Sequence, residues 1–325
     1  MSLLEVTDLT VGYVTAAGER VVLVDSVSLR LEPGEVLCLV GESGSGKSVT
    51  MLAVLGLLTD PLTVFSGSVR FRGKELIGAD DETLRKLRGA ELGMIFQDPM
   101  TSLNPVRRVG TQIGRALAVH QQSDRRTRER KVVELLDAVG IPQPAERARA
   151  YPHQWSGGMR QRAVIAMAMA NDPAILIADE PTTALDVTVQ AQLMAVLAEA
   201  RERSNAAMVL ITHDLGLVAQ YADRVAIMYA GRVVEQGTVW QIFDSATHPY
   251  TLGLRRSLIG EQSATERAYA IPGAPPPPTK RPAGCGFAPR CEFANKASEC
   301  ETHVPALVTL ADGRAIACPP AQVAS

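Results

Sequence analysis

Five short runs along this chain are continuously apolar rather than alternating: residues 36–40, 92–96, 174–178, 207–211 and 225–229. Runs of that length, bounded by polar or turn residues, predict strands buried on both faces. Ahead of the first run, residues 4–10, 21–24 and 27–31 have strand composition, and Pro33-Gly34 marks a turn. Residues 68–73 alternate through Val69 and Phe71 and turn at Gly73. Asp80 or Asp81 can cap a short helix through Arg88. From Val106 to about Ala150 the period changes. Val132, Leu135, Leu136 and Val139 recur at three-four spacing until Gly140 and Pro142, which predicts a helical insertion. Ser156-Gly157-Gly158 then opens a helix reaching about Ala170. Residues 231–237 read as a turn and edge strand, residues 239–243 as helix-like, and His248 leads into a last helix near Leu258. Pro272 and residues 275–278 should run extended as polyproline II, so the tail from about residue 259 reads as a separate element.

Composition narrows the class. At 325 residues, 46% hydrophobic and 21% charged, the chain can bury a sizeable core in more than one substructure. A net charge of −2 gives no support to a nucleic-acid surface, and the basic run at residues 125–131 is expected to be a solvated helix face. No charged region followed by an apolar one opens the chain, and no run of about 18 apolar residues occurs. The expectation is a cytoplasmic protein, or one held at a membrane only through a partner. Cys38 sits alone in an apolar run and is expected in the core. Cys285, Cys291, Cys300 and Cys318 crowd into the tail, and in a reducing compartment they are not expected to form disulfides.

The densest chemistry is Gly41-Glu42-Ser43-Gly44-Ser45-Gly46-Lys47-Ser48, followed by Val49. It lies between an apolar run and a helical stretch and matches G-x-x-x-x-G-K-[ST]. Such glycines let successive backbone N–H groups turn inward as an anion nest at a helix start. Lys47 can then reach the β- and γ-phosphates, and the Ser48 hydroxyl can ligate Mg²⁺. The plain alternative is a Gly/Ser turn with a chance lysine. Three polar groups leave the ends of predicted strands: Gln97, Asp179-Glu180 and His213. An acid there can hold a metal ion while its neighbour orients or deprotonates a water. Ser156-Gly157-Gly158 is either a second anion site or an ordinary helix cap. Tyr13, in the connection after the first strand, can stack on a purine or be a half-buried loop residue.

In this order, over roughly residues 3–255, the motifs resemble the ATP-binding subunit of an ATP-binding-cassette transporter. The resemblance implies an α/β P-loop NTPase core with an N-terminal antiparallel β subdomain, a helical insertion at about residues 98–170 and a C-terminal cysteine-bearing extension. The nucleotide-binding domain would be residues 1–258 and the linker and extension residues 259–325. It implies a Walker A loop at residues 41–48, a Walker B strand ending at Asp179, Glu180 as catalytic carboxylate and Gln97 as Q-loop. Asp186 would be the D-loop aspartate, His213 the switch histidine, Tyr13 the adenine-stacking aromatic and Ser156-Gly157-Gly158 the signature. Ser48, Gln97 and Asp179 would hold Mg²⁺. The signature departs from Leu-Ser-Gly-Gly-Gln by carrying Trp155 and Met159.

The stretch from Phe96 to Pro105, Tyr151-Pro152-His153-Gln154 and the segment at His248 resemble the dipeptide, oligopeptide and nickel importers, in their D-type ATPase. This implies an ATPase on the cytoplasmic face of the membrane, peripheral, with an F-type ATPase partner, two permease subunits and a substrate-binding protein. A soluble cassette ATPase acting on DNA or ribosomes is the alternative from another class, and a non-hydrolysing regulator a third. The tail cysteines are separated by five, eight and seventeen residues, without a Cys-x₂-Cys knuckle. Gly284 to Cys291 matches tails associated with a [4Fe–4S] cluster; zinc and free thiols stay open.

Overall fold

The computed structural model describes residues 2–97, 102–182, 186–257, 269–292 and 299–319. Residues 98–101, inside the stretch from Phe96 to Pro105, lie outside the described residues. So do residues 258–268, which contain the expected helix end and the start of the tail.

The first hairpin carries more strand than its composition predicts. β1 (Leu4–Val14) and β2 (Arg20–Leu31) pair antiparallel from Leu4 opposite Leu31 to Val14 opposite Arg20. Asp8 and Ser26 adopt φ of 47° and 52°, and the register shifts beside them. These bulges bend the ladder at its polar interruptions instead of ending it. Tyr13 therefore sits on β1 opposite Val21, half-buried, and not in a connection. Along the chain follow β3 (Val36–Val40), β4 (Thr63–Phe71), β5 (Lys74–Glu75), β6 (Leu92–Ile95), β7 (Ile175–Asp179) and β8 (Ala207–Thr212). The series closes with β9 (Arg224–Tyr229), β10 (Arg232–Thr238), β11 (Val308–Thr309) and β12 (Ala315–Ile316).

Contacts divide the chain into two units. The first comprises Met1–Leu31, Val36–Ile77 and Thr212–Ser325; the second comprises Glu32–Glu35 and Gly78–Ile211. In the first unit, β2-β1-β4-β5 form an antiparallel sheet. A second sheet runs β11-β12-β10-β9-β3, with β3 parallel to β9 and the rest antiparallel. All of β3 is buried, as its unbroken apolar run requires, and burial pushes the Cys38 thiol up to about 12.

The tail is tied into this second sheet. Ala315 pairs with Gln236, so β10 has neighbours on both sides and is not an edge strand. Beside that junction Arg314 donates to the fully buried carboxylate of Glu235 at 3.1 Å, and the backbone N–H groups of Thr247 and His248 also donate to it. A buried carboxylate needs such partners to remain charged. Burial pushes His248 down to about 3, so its ring is neutral and Nδ1 accepts from the Tyr250 N–H at 3.1 Å. Tyr229, Tyr250 and Phe287 complete an aromatic cluster, with Phe287 edge-on to Tyr229 at 5.2 Å. The described residues from 269 on thus pack as part of the first unit.

In the second unit β6, β7 and β8 are parallel neighbours. The helical insertion is present as helices Val109–His120, Arg125–Ala138 and Pro144–Arg147, with Ile113, Leu117, Val132 and Leu136 buried. The basic run is a solvated face: Arg125 pairs with Glu129 and Arg130 with Glu134 one turn on. Helices Gly157–Ala168 and Val187–Ser204 follow.

Candidate nucleotide site

In the first unit the glycine-rich loop leaves β3 and enters helix Lys47–Val54. Gly41 packs so close to the Met228 carbonyl that a Cβ would lie 2.1 Å from it. Gly46 caps the helix at φ 101°, a conformation that side chains resist. The loop thus bends back on itself, and Lys47 folds over it. Its Nζ donates to the carbonyls of Gly41 at 2.7 Å and Glu42 at 3.0 Å, with Ser45 Oγ at 3.5 Å. Lys47 is 5% exposed, Ser48 and Val49 are half-buried, and Ser43 and Gly44 face solvent. A buried ammonium bound to neutral carbonyls, beside a helix start, is a cationic cradle shaped for phosphate. His213 follows β8 and is exposed, while the next residue, Asp214, caps helix Leu215–Tyr221.

In the second unit β7 ends in the buried carboxylate of Asp179. Glu180 turns sharply away with φ 45°, and its N–H donates to the Ile211 carbonyl at 3.0 Å. A non-glycine residue in that region is uncommon and re-aims its side chain off the strand. The Glu180 carboxylate accepts from the exposed Gln97 side chain at 3.1 Å, so these two predicted residues meet. Gln161, buried and not anticipated from sequence, donates to the Pro181 carbonyl and fixes the turn after Glu180. Ser156 caps helix Gly157–Ala168 by accepting from the Met159 N–H at 3.3 Å. Gly157 stays exposed, and among the described residues a Cβ there would meet open space. Asp186 likewise caps helix Val187–Ser204 through the Val189 N–H at 3.0 Å.

Comparison with known proteins places this arrangement. The ABC transporter model matches residues 24–183, and the oligopeptide/dipeptide transporter C-terminal-region model matches residues 234–300. A putative peptide import ATP-binding protein of Brucella abortus (strain 2308) is 48% identical, over 98% of this chain and 95% of its own length. The chain belongs to the ABC transporter family. The oligopeptide transport ATP-binding protein OppD of Mycobacterium tuberculosis (strain ATCC 25618 / H37Rv) is 51% identical over 97% of this chain, and the chain spans about half the length of that relative. Among solved structures, a dimeric ATP-binding cassette in a post-hydrolysis state, bound to ADP and Pi, superposes with a TM-score of 0.64 at 26% identity. That match covers 73% of this chain and 98% of the other.

Of the two departures from Leu-Ser-Gly-Gly-Gln, that at Trp155 has a packing reason. Trp155 is 3% exposed and belongs to the core of the second unit, leaving the exposed Ser156-Gly157 face unaltered. The tail of the cassette differs from expectation. Among the described residues none of its cysteines forms a disulfide, and Cys285, Cys291, Cys300 and Cys318 line one small pocket with His248 and Phe287. Yet among the described residues no group of three or more His, Cys, Asp and Glu could hold a metal ion. The expected four-thiolate centre does not stand ready-made. Burial pushes the Cys285 thiol up, away from the thiolate that a metal ion would need. No helix among the described residues is long and apolar enough to cross a membrane.

Proposed function

We propose that this chain is the ATP-hydrolysing subunit of a peptide importer, peripheral on the cytoplasmic face of the membrane. The likeness across nearly the whole of a peptide import ATP-binding relative carries this reading. It works with a second, F-type ATPase, two permease subunits and a substrate-binding protein. The DNA or ribosome alternative loses support, since the relatives are described as peptide import and oligopeptide transport proteins.

In this reading the N–H groups of residues 41–49 and Lys47 receive the phosphates, and Tyr13 stacks on adenine. Ser48, Asp179 and Gln97 offer oxygen donors, the hard ligands that suit Mg²⁺, and would hold it; the ion would neutralise phosphate charge. Glu180 polarises the attacking water, with Gln97 beside it, and His213 meets the γ-phosphate. Ser156-Gly157-Gly158 and Asp186 serve the partner ATPase's nucleotide. The convergence of four thiols on one pocket supports a further part of the reading, a [4Fe–4S] cluster with zinc as the alternative. Anaerobic purification followed by iron and sulfide assay decides that part; a folded, iron-free protein refutes the cluster.

The functional test is ATP binding by the whole chain, then hydrolysis after reconstitution with the second ATPase and permease. Lys47→Ala should weaken ATP binding by about 10–100-fold, the loss of a charge-assisted hydrogen bond of about 1.5–3 kcal/mol. Undiminished binding by that variant would overturn the assignment of the loop.

A further inference from the structure

The tail touches the phosphate loop at one residue. Arg290 lies in a short 3₁₀ turn, Ala288–Arg290, between Cys285 and Cys291, and its side chain is 6% exposed. All five of its N–H donors have acceptors. Nη1 and Nη2 grip the two carboxylate oxygens of Glu42 at 2.7 and 3.0 Å, a two-pronged pair. Nη1 also reaches the Tyr229 hydroxyl at 3.1 Å, Nε the Pro272 carbonyl at 2.8 Å, and Nη2 the Ile271 carbonyl at 3.3 Å.

Glu42 is the second residue of the phosphate loop, and each of its polar groups is engaged. Arg290 holds its carboxylate, its N–H donates to the Tyr250 hydroxyl at 2.9 Å, and its carbonyl accepts from Lys47. A continuous hydrogen-bonded path therefore runs from the cysteine-bearing turn through Arg290 and Glu42 to the Lys47 ammonium. Beside it, Pro275–Pro278 face Glu42–Ser45 across a cavity of about 140 Å³.

We infer that Arg290 is a positioning residue for ATP binding: by clamping Glu42 it holds the phosphate loop and Lys47 in their anion-receiving shape. The inference rests on the loop binding ATP. Loss of the clamp frees the Glu42 side chain, and the loop must then be ordered by the nucleotide at the expense of affinity. A purely structural tie between tail and core would instead lower thermal stability and leave affinity alone.

The test is the dissociation constant for a fluorescent ATP analogue on the full chain, measured well below each variant's melting temperature. Arg290→Ala should raise it roughly tenfold, equivalent to about 1.4 kcal/mol. Arg290→Lys, which keeps the charge but loses the fork, should fall in between. Glu42→Gln weakens the same pair from the loop side and serves if Arg290→Ala does not fold. The double variant Arg290→Ala/Glu42→Gln should lose no more than the worse single one. Arg281→Ala loosens the tail at Leu23 and Asp25 without touching Glu42, and should stay within about twofold of wild type. Wild-type affinity in the Arg290 and Glu42 variants, fully additive losses, or an equal loss with Arg281→Ala would each overturn the inference while leaving ATP binding intact. A wild-type chain that binds no ATP would overturn both.

Discussion

The phosphate loop of the first unit and the Ser156-Gly157-Gly158 turn of the second are both glycine-bearing helix starts, yet they are held in different ways. Tyr250 and Arg290 reach the loop from two separate stretches of chain, Lys47 folds back on it from its own end, and most of its polar groups near Glu42 are engaged. The turn is held by its own Ser156 cap and otherwise faces solvent. Shape is thus built into the loop largely by long-range contacts, whereas the turn keeps an open face.

The largest test of this contrast lies in the second unit. Glu180→Gln should cut turnover of the assembled complex by about 10²–10⁴-fold, the range for a lost general base, while ATP affinity holds. Steady-state hydrolysis and nucleotide binding, measured side by side, check it; retained turnover would remove Glu180 from the chemistry. Next comes the anchorage of the first unit. Glu235→Ala removes the fully buried partner of Arg314, leaves it only the more exposed Asp312 at 3.5 Å as an ionic partner, and should cost up to about 3 kcal/mol of stability, visible in chemical denaturation.

A pH effect, smaller over any one pH unit, comes from His248. Its native pKa is pushed down to about 3 from the ordinary 6.5. Between those values the unfolded chain takes up the proton and the native one does not, so this contribution is complete above pH 6.5 and is lost as pH falls toward 3. The slope is at most about 1.4 kcal/mol per pH unit, and His248→Gln should remove it from a pH series of melting curves. The smallest change is Ser156→Ala, which should cost about 1 kcal/mol as a lost cap. If that variant also slows turnover in the assembled complex well beyond its stability loss, the turn serves the partner's nucleotide. If turnover follows stability alone, the turn is an ordinary cap and the contrast fails.

Much of this was legible in the sequence because it depends on neighbours in the chain. The five apolar runs became β3, β6, β7, β8 and β9, and Asp80 and Ser156 cap the helices expected of them. The β1–β2 hairpin read as shorter pieces, since composition does not reveal that bulges at Asp8 and Ser26 carry a ladder onward. The Arg290–Glu42 pair was invisible, joining residues 248 positions apart with nothing in either segment to announce the other. The same holds for β12 beside β10. Gln161 carried no motif, and only its burial against Pro181 reveals its part in shaping the Glu180 turn.

The setting of Cys38 has a practical consequence. Its thiol is fully buried and burial pushes it up to about 12, so at ordinary pH it offers no thiolate nucleophile to an alkylating reagent while the protein is folded. Every equivalent of label taken up by the native chain is then consumed in the tail. Alkylation stoichiometry becomes a count of tail thiols alone, from four downward, and a fifth equivalent signals that the central sheet has opened.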